Sequence, residues 1–197
     1  MNGKLDSGYY NGKKIWINLL LKGYFKFIYA GNDAHGNFNV YRQIRIPMIN
    51  LAEGKYQVLG EFRTGIYGKR TNTIKTIVKS LKNGNCFITN GPSIKMSFHS
   101  KGNTYTVGRK VKTRDGKIKI ESLSSREFGK ISFCIIYIGK IGGDKEVIFK
   151  EIININDYLF KTSFDIKVES MCYFRAELFN KFNEKNIFAI TNPIWLL

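Results

Sequence analysis

Between Lys13 and Leu21 the apolar residues Ile15, Trp16, Leu19 and Leu20 recur at helical spacing, and Gly23 follows as a C-terminal stop, which predicts a short helix. Tyr24 to Tyr29 is then a compact aromatic and β-branched run ending in Ala30-Gly31, the pattern of a strand that leads into the loop Asn32-Asp33-Ala34-His35-Gly36. A stronger helical signal lies further on. Ile74, Ile77, Val78 and Leu81 fall at i, i+3, i+4 and i+7, Thr71 or Asn72 can cap the start, and Lys79 and Lys82 suit the C-terminal end of the dipole before Gly84. That helix is expected to pack one face on a sheet. Cys86 to Thr89 reads as a short strand, and Asn90-Gly91-Pro92 as a turn that ends this half of the chain.

Beyond Pro92 the apolar positions alternate with strand period. Ile94, Met96 and Phe98 form one face of a strand, Ile118 and Ile120 mark another, and Ile131 to Ile138 is apolar on both faces, as a central strand would be. Val147 to Ile153, Tyr158 to Val168 and Cys172 to Phe179 continue the series, and Phe188 to Ile190 and Ile194 to Leu196 close it. Along Cys172 to Phe179, Cys172, Phe174, Ala176 and Leu178 alternate with Tyr173, Arg175 and Glu177, which predicts a half-buried strand with an exposed polar face. About seven short strands separated by Gly, Asn, Asp and Ser turns point to an antiparallel β-sandwich of immunoglobulin-like size, without the Cys-Trp-Cys signature of true immunoglobulin domains. The expected class is therefore α+β, with an α/β segment over 1–91 and the β-sandwich over 92–197.

Composition narrows the functional classes. The 197 residues carry 32 Lys+Arg against 15 Asp+Glu, a formal net charge of +17, yet 43% are hydrophobic and 14% aromatic, which excludes a disordered basic tail. The excess is mostly Lys and is spread over both halves, whereas nucleic-acid and phosphate sites favour the bidentate Arg fork, so the charge argues against a dedicated nucleic-acid partner. Arg109 to Gly116 reads as a charged strand and hairpin tip with Asp-Gly turn chemistry, protecting an edge rather than forming a basic patch. The apolar runs fall well short of the roughly 18 residues of a membrane span, and no signal-peptide pattern is complete, so a cytoplasmic location with no membrane partner is expected. Cys86, Cys134 and Cys172 are too few and too far apart for a disulfide framework or a metal knuckle, and read as small buried hydrophobes.

Catalytic chemistry has few places to reside. There are two histidines, His35 and His99, and no nucleophile elbow or phosphate-binding loop. His99 follows an alternating stretch and reads as a strand-end surface residue. Asp33 and His35, two positions apart in a glycine-flanked loop after a strand, can direct a carboxylate oxygen and an imidazole nitrogen at a divalent metal. Arg63 and Arg42 could reach an anionic substrate, with ordinary surface charge as the alternative, and Lys69-Arg70 beside Tyr67 is too small a patch to bind nucleic acid. Exposed aromatics such as Tyr105 or Tyr137 would serve a second kind of function, a non-catalytic sandwich that recognises carbohydrate or protein.

The strand into Gly31-Asn32-Asp33-Ala34-His35-Gly36 resembles the last part of the catalytic domain of the polymerase and histidinol phosphatase (PHP) superfamily, where a strand ends in a Gly-Ser-Asp-Ala-His-like motif. Phe62-Arg63-Thr64-Gly65-Ile66-Tyr67, the helix after it, and Gly84 to Pro92 are similar to the CehA/McbA-like branch, in which an Arg-Thr-aromatic strand, a helix and a Gly-Pro turn lead into a C-terminal β-sandwich. Ala189-Ile190-Thr191-Asn192-Pro193-Ile194-Trp195 is similar to the strand that closes those chains. The resemblance implies a metal-dependent hydrolase of phosphoesterase type, with zinc, manganese or iron as cofactor and Asp33 and His35 as the last metal-ligand pair. It also implies that the α/β segment is the end or remnant of a distorted β/α barrel. The His-x-His strand and the further ligands that begin such a barrel are absent upstream of Asp33, so a chain of this length is expected to be inactive alone. The rest of the barrel would come from a missing N-terminal catalytic segment or a separate chain, and a torn barrel edge at Phe25 to Tyr29 would favour a homo-oligomer.

Overall fold

A computed structural model describes residues 7–31, 62–68, 73–182 and 185–197. The first helix, α1 (Ser7–Leu21), begins well before Lys13 because Tyr9 continues the buried face of Trp16 and Leu20. It ends where predicted: Gly23 takes φ +81° and the amides of Gly23 and Tyr24 bond to the carbonyls of Leu20 and Leu19, which satisfies the last turn. The second helix, α2 (Ile74–Lys82), is capped by Thr73, one position beyond the expected candidates, and closes in the same way at Gly84.

The strands are β1 (Arg63–Ile66), β2 (Cys86–Thr89), β3 (Ser93–Ser100), β4 (Asn103–Thr106), β5 (Lys110–Val111), β6 (Asp115–Leu123), β7 (Ile131–Lys140), β8 (Glu146–Ile152), β9 (Leu159–Lys167), β10 (Cys172–Phe182), β11 (Lys185–Thr191) and β12 (Ile194–Leu196). They form two mostly antiparallel sheets, a β-sandwich. The smaller sheet has the order β4-β3-β6-β9. In the larger, eight-stranded sheet β10 is central, with β7 and then β8 on one side. On its other side lie β11 and β12, effectively one strand interrupted at Asn192-Pro193. Beyond these, β2 and β1 pair outward from β11, and β5 runs parallel to β12. The strands β1 and β2, which precede Pro92 in sequence, thus belong to the same sheet as those that follow it.

The apolar positions predicted along β3, β6, β7 and β10 meet between the sheets, where Met96, Phe98, Ile120, Cys134, Phe174 and Leu178 are fully buried. A second core lies on the opposite face of the larger sheet, where α1 covers Tyr173, Phe188, Ile190 and Trp195. The layers are therefore helix, large sheet, small sheet.

Four expectations are corrected. Tyr24 to Tyr29 joins no ladder, because the groups beside it are side chains of Asn192 and Thr64 rather than a free strand edge. The polar face of β10 is buried, with Arg175 and Glu177 each 1% exposed, because α1 lies over it. Asp115-Gly116 is no hairpin tip: it pairs with Lys167 and Ile166 inside the β6–β9 ladder. No residue of α2 is buried, and Ile74 is 83% exposed, so the expected sheet-facing stripe stays largely open among the described residues. Also among the described residues, no helix is long and apolar enough to cross a membrane.

Candidate functional site

The residues that carried the sequence motifs converge around the stretch from Tyr24 to Gly31. Phe25 and Phe27 pack edge-on against Trp195, with ring centroids 5.2 and 5.9 Å away, and the Trp16 indole N–H donates to the Lys26 carbonyl at 3.0 Å. From there side chains take over the role of a neighbouring strand. The Ile28 amide donates to Asn192 Oδ1 at 2.8 Å, and Asn192 Nδ2 donates to the carbonyls of Ile28 and Cys86 at 3.3 and 3.2 Å. Thr64 Oγ1 accepts from the Ala30 amide and donates back to its carbonyl, each at 2.9 Å. Tyr29 donates its hydroxyl to the Leu81 carbonyl at the end of α2, at 2.7 Å. Asn192 is wholly buried, where an unmatched amide would be costly, so these bonds fix the path of the segment.

Asp33 and His35, the predicted metal pair, lie outside the described residues, as do Arg42, Lys69 and Arg70. The described chain ends at Gly31, one residue past the Ala30 anchor, and Arg63 is the residue before Thr64. Arg63 is exposed on β1, an outer strand of the sheet, with its guanidinium 5.3 Å from the Phe128 ring centroid. Among the described residues no group of three or more His, Cys, Asp or Glu side chains could hold a metal. The cysteines are free and buried as expected; burial pushes the Cys86 thiol up to about 11 and those of Cys134 and Cys172 to about 12, which makes them inert. His99 shares hydrogen bonds with Ser97 and Thr104, both at 2.9 Å, on the outer face of the small sheet. Tyr105 and Tyr137, proposed as exposed aromatics, are half-buried: Tyr105 stacks on Phe98 and Tyr137 lies 4.3 Å from the Arg175 guanidinium.

Sequence reasoning missed a buried charged cluster. Beneath α1, Arg175 donates through Nε and Nη2 to both oxygens of Glu146, at 2.7 and 2.6 Å, and through Nη1 to Glu177. Lys13 reaches Glu177 at 2.5 Å from α1, and Tyr173 donates to Glu146 at 2.8 Å. Burial works against the Glu177 carboxylate, but Arg175 and Lys13 outweigh it and hold its carboxyl below the usual range. Burial raises Tyr137 to about 12, so the phenol stays neutral beside the cation. Two opposite charges, two apart between aromatics on a strand, were the signal available for this cluster. It is closed to substrate and serves to seat α1.

No protein-family model matches the chain, and no curated protein matches it in sequence. Among solved structures it is similar to a superoxide reductase (neelaredoxin) from Ignicoccus hospitalis, at 10% identity over 54% of this chain and 81% of that one, with a TM-score of 0.32. At that score the likeness bears on neither fold family nor function.

Proposed function

We propose that this chain is the C-terminal part of a PHP-like metal-dependent hydrolase, contributing Asp33 and His35 as the last metal-ligand pair and a β-sandwich that braces them. The observation that supports this reading is the use made of Thr64 and Asn192. Both belong to the motifs on which the family resemblance rests, they are far apart in sequence, and both hold the backbone of the stretch that runs into the Asp33-x-His35 loop. Arg63, next to Thr64 on β1, is the candidate contact for an anionic substrate group in this reading.

The described residues gather no metal site of their own, so a bound zinc, manganese or iron would need Asp33, His35 and further ligands from an N-terminal segment or a partner chain. No hydrolytic step is assigned to this chain alone. The test is to read the coding DNA upstream of Met1 for an in-frame His-x-His strand and barrel pattern, and to measure zinc and manganese bound by the complete product. Metal lost on Asp33→Ala or His35→Ala supports the reading. An upstream region with no such pattern, together with no metal bound by the purified chain, overturns it.

A further inference from the structure

At one end of the sandwich a cleft of about 700 Å³ lies against the start of β7 and the connection between β8 and β9. Its size falls within the range of small-molecule sites. The walls are tied together. Ser124 donates its amide to the Tyr158 carbonyl and Ile131 to that of Asp157, both at 2.8 Å, and Ile155 donates to Ser132 at 3.1 Å. Asn180 Nδ2 holds the Phe128 and Gly129 carbonyls at 3.0 Å, and Phe133 is stacked on Phe179 with centroids 4.8 Å apart. A ligand would thus meet a surface already shaped for it.

The lining has a consistent chemistry. Lys130 brings an ammonium 6.0 Å from the Tyr158 ring centroid. Asn154 and Asn156, held at φ +58° and +49°, bring exposed side-chain amides. Among the described residues no acidic side chain lines the cleft, and the neighbouring Asp157 carboxylate accepts from the amides of Tyr158 and Leu159 at 2.6 and 3.3 Å. An aromatic face, two amides and one cation suit a ligand with an apolar ring face, hydroxyl groups and a negative charge. We infer that the cleft binds an acidic saccharide: its ring lies on Tyr158, its hydroxyls meet Asn154 and Asn156, and its carboxylate meets Lys130. This site is remote in sequence from Asp33 and His35 and stands independently of the metal reading.

Titration with hexagalacturonate, with cellohexaose as the neutral counterpart, tests it. Tyr158→Ala and Lys130→Gln should each weaken hexagalacturonate binding about tenfold, whereas Lys119→Gln, on the outer face of the small sheet, should change it less than about twofold. A loss for Lys119→Gln equal to that for Lys130→Gln would reduce the effect to net charge and overturn the inference. So would equal binding of cellohexaose, or no binding of hexagalacturonate at millimolar concentration. Amide shift mapping on the unmodified chain gives a readout that needs no variant to fold: shifts confined to 129–133 and 153–158 support the cleft, and shifts centred elsewhere refute it.

Discussion

The two faces of β10 are equally buried and chemically opposite. Toward the small sheet, Cys172, Phe174, Ala176 and Leu178 join an apolar core that needs only shape and volume. Toward α1, Tyr173, Arg175 and Glu177 are just as inaccessible, yet two of the three are charged and every charge has a partner. Burial on the first face follows from the strand pattern itself, while burial on the second depends on a helix from the other end of the sequence. The inner face therefore supplies the bulk of stability, and the outer face fixes where α1 sits. A buried ion pair adds little net stability over an apolar substitute but tolerates no partial loss.

Neighbouring substitutions on the two faces should show this. Phe174→Ala and Arg175→Ala are each expected to destabilise by about 3–5 kcal/mol, the first by opening a cavity and the second by stranding Glu146 without its cation and leaving Glu177 with Lys13 alone. The faces then part company on rescue. Replacing the whole outer cluster with apolar residues (Arg175→Met, Glu146→Leu, Glu177→Leu and Lys13→Met together) should restore stability to that of the unmodified chain or above it. Urea unfolding midpoints provide the measurement. A loss under about 1 kcal/mol for Arg175→Ala, or no rescue by the combined variant, would break the contrast.

A smaller effect concerns pH. Glu177 has its carboxyl held down in the folded state, so its contribution is present above the unfolded carboxyl value of about 4.3 and is lost as pH falls through the lower folded value. Stability should decline in acid through this window, and Glu177→Gln should flatten the decline. Glu121 is also held down, first by its hydrogen bond to Lys119, but it is partly exposed and screened by solvent, so Glu121→Gln should flatten the acid slope less than Glu177→Gln. Unfolding midpoints at pH 6 and pH 3 separate the two; equal flattening by both variants would mean that burial under α1 adds nothing to the Glu177 pairing.

Features fixed by local sequence were the legible ones. The helix stops at Gly23 and Gly84 follow from chemistry within a few residues, and the alternation along β3, β6 and β10 was enough to place the sandwich core. Features made by distant partners were not. Arg175 and Glu177 looked like a solvated face because nothing near them in sequence announces α1, and Tyr24 to Tyr29 has the pattern of a strand because nothing near it announces that its partners are the side chains of Asn192 and Thr64. Those two residues stood out only as motif letters; their work as backbone clamps appears once the fold brings them together. The cleft was hidden for another reason: Asn154 and Asn156 are ordinary turn residues, and only the fold brings them to one cleft with Lys130 and Tyr158.

The smallest expected effect sharpens the contrast from outside both faces. On β10 a polar pattern is buried, whereas on α2 an apolar pattern is open, with Ile74 83% exposed and Val78 43%. Such a helix gains little from packing and is held by its ends: Thr73 accepts from the Thr76 amide, Lys79 and Lys82 lie near the negative end of the dipole, and Tyr29 bonds to the Leu81 carbonyl. Ile74→Glu removes almost no buried area and sets a negative charge at the positive end of the helix, so stability should shift by less than about 0.5 kcal/mol, in the stabilising direction if at all. Thermal unfolding of Ile74→Glu beside Phe174→Ala gives the scale. A loss of about 2 kcal/mol or more would show that Ile74 is covered in the folded chain, and that the open apolar stripe, like the polar face of β10, belongs to an interior.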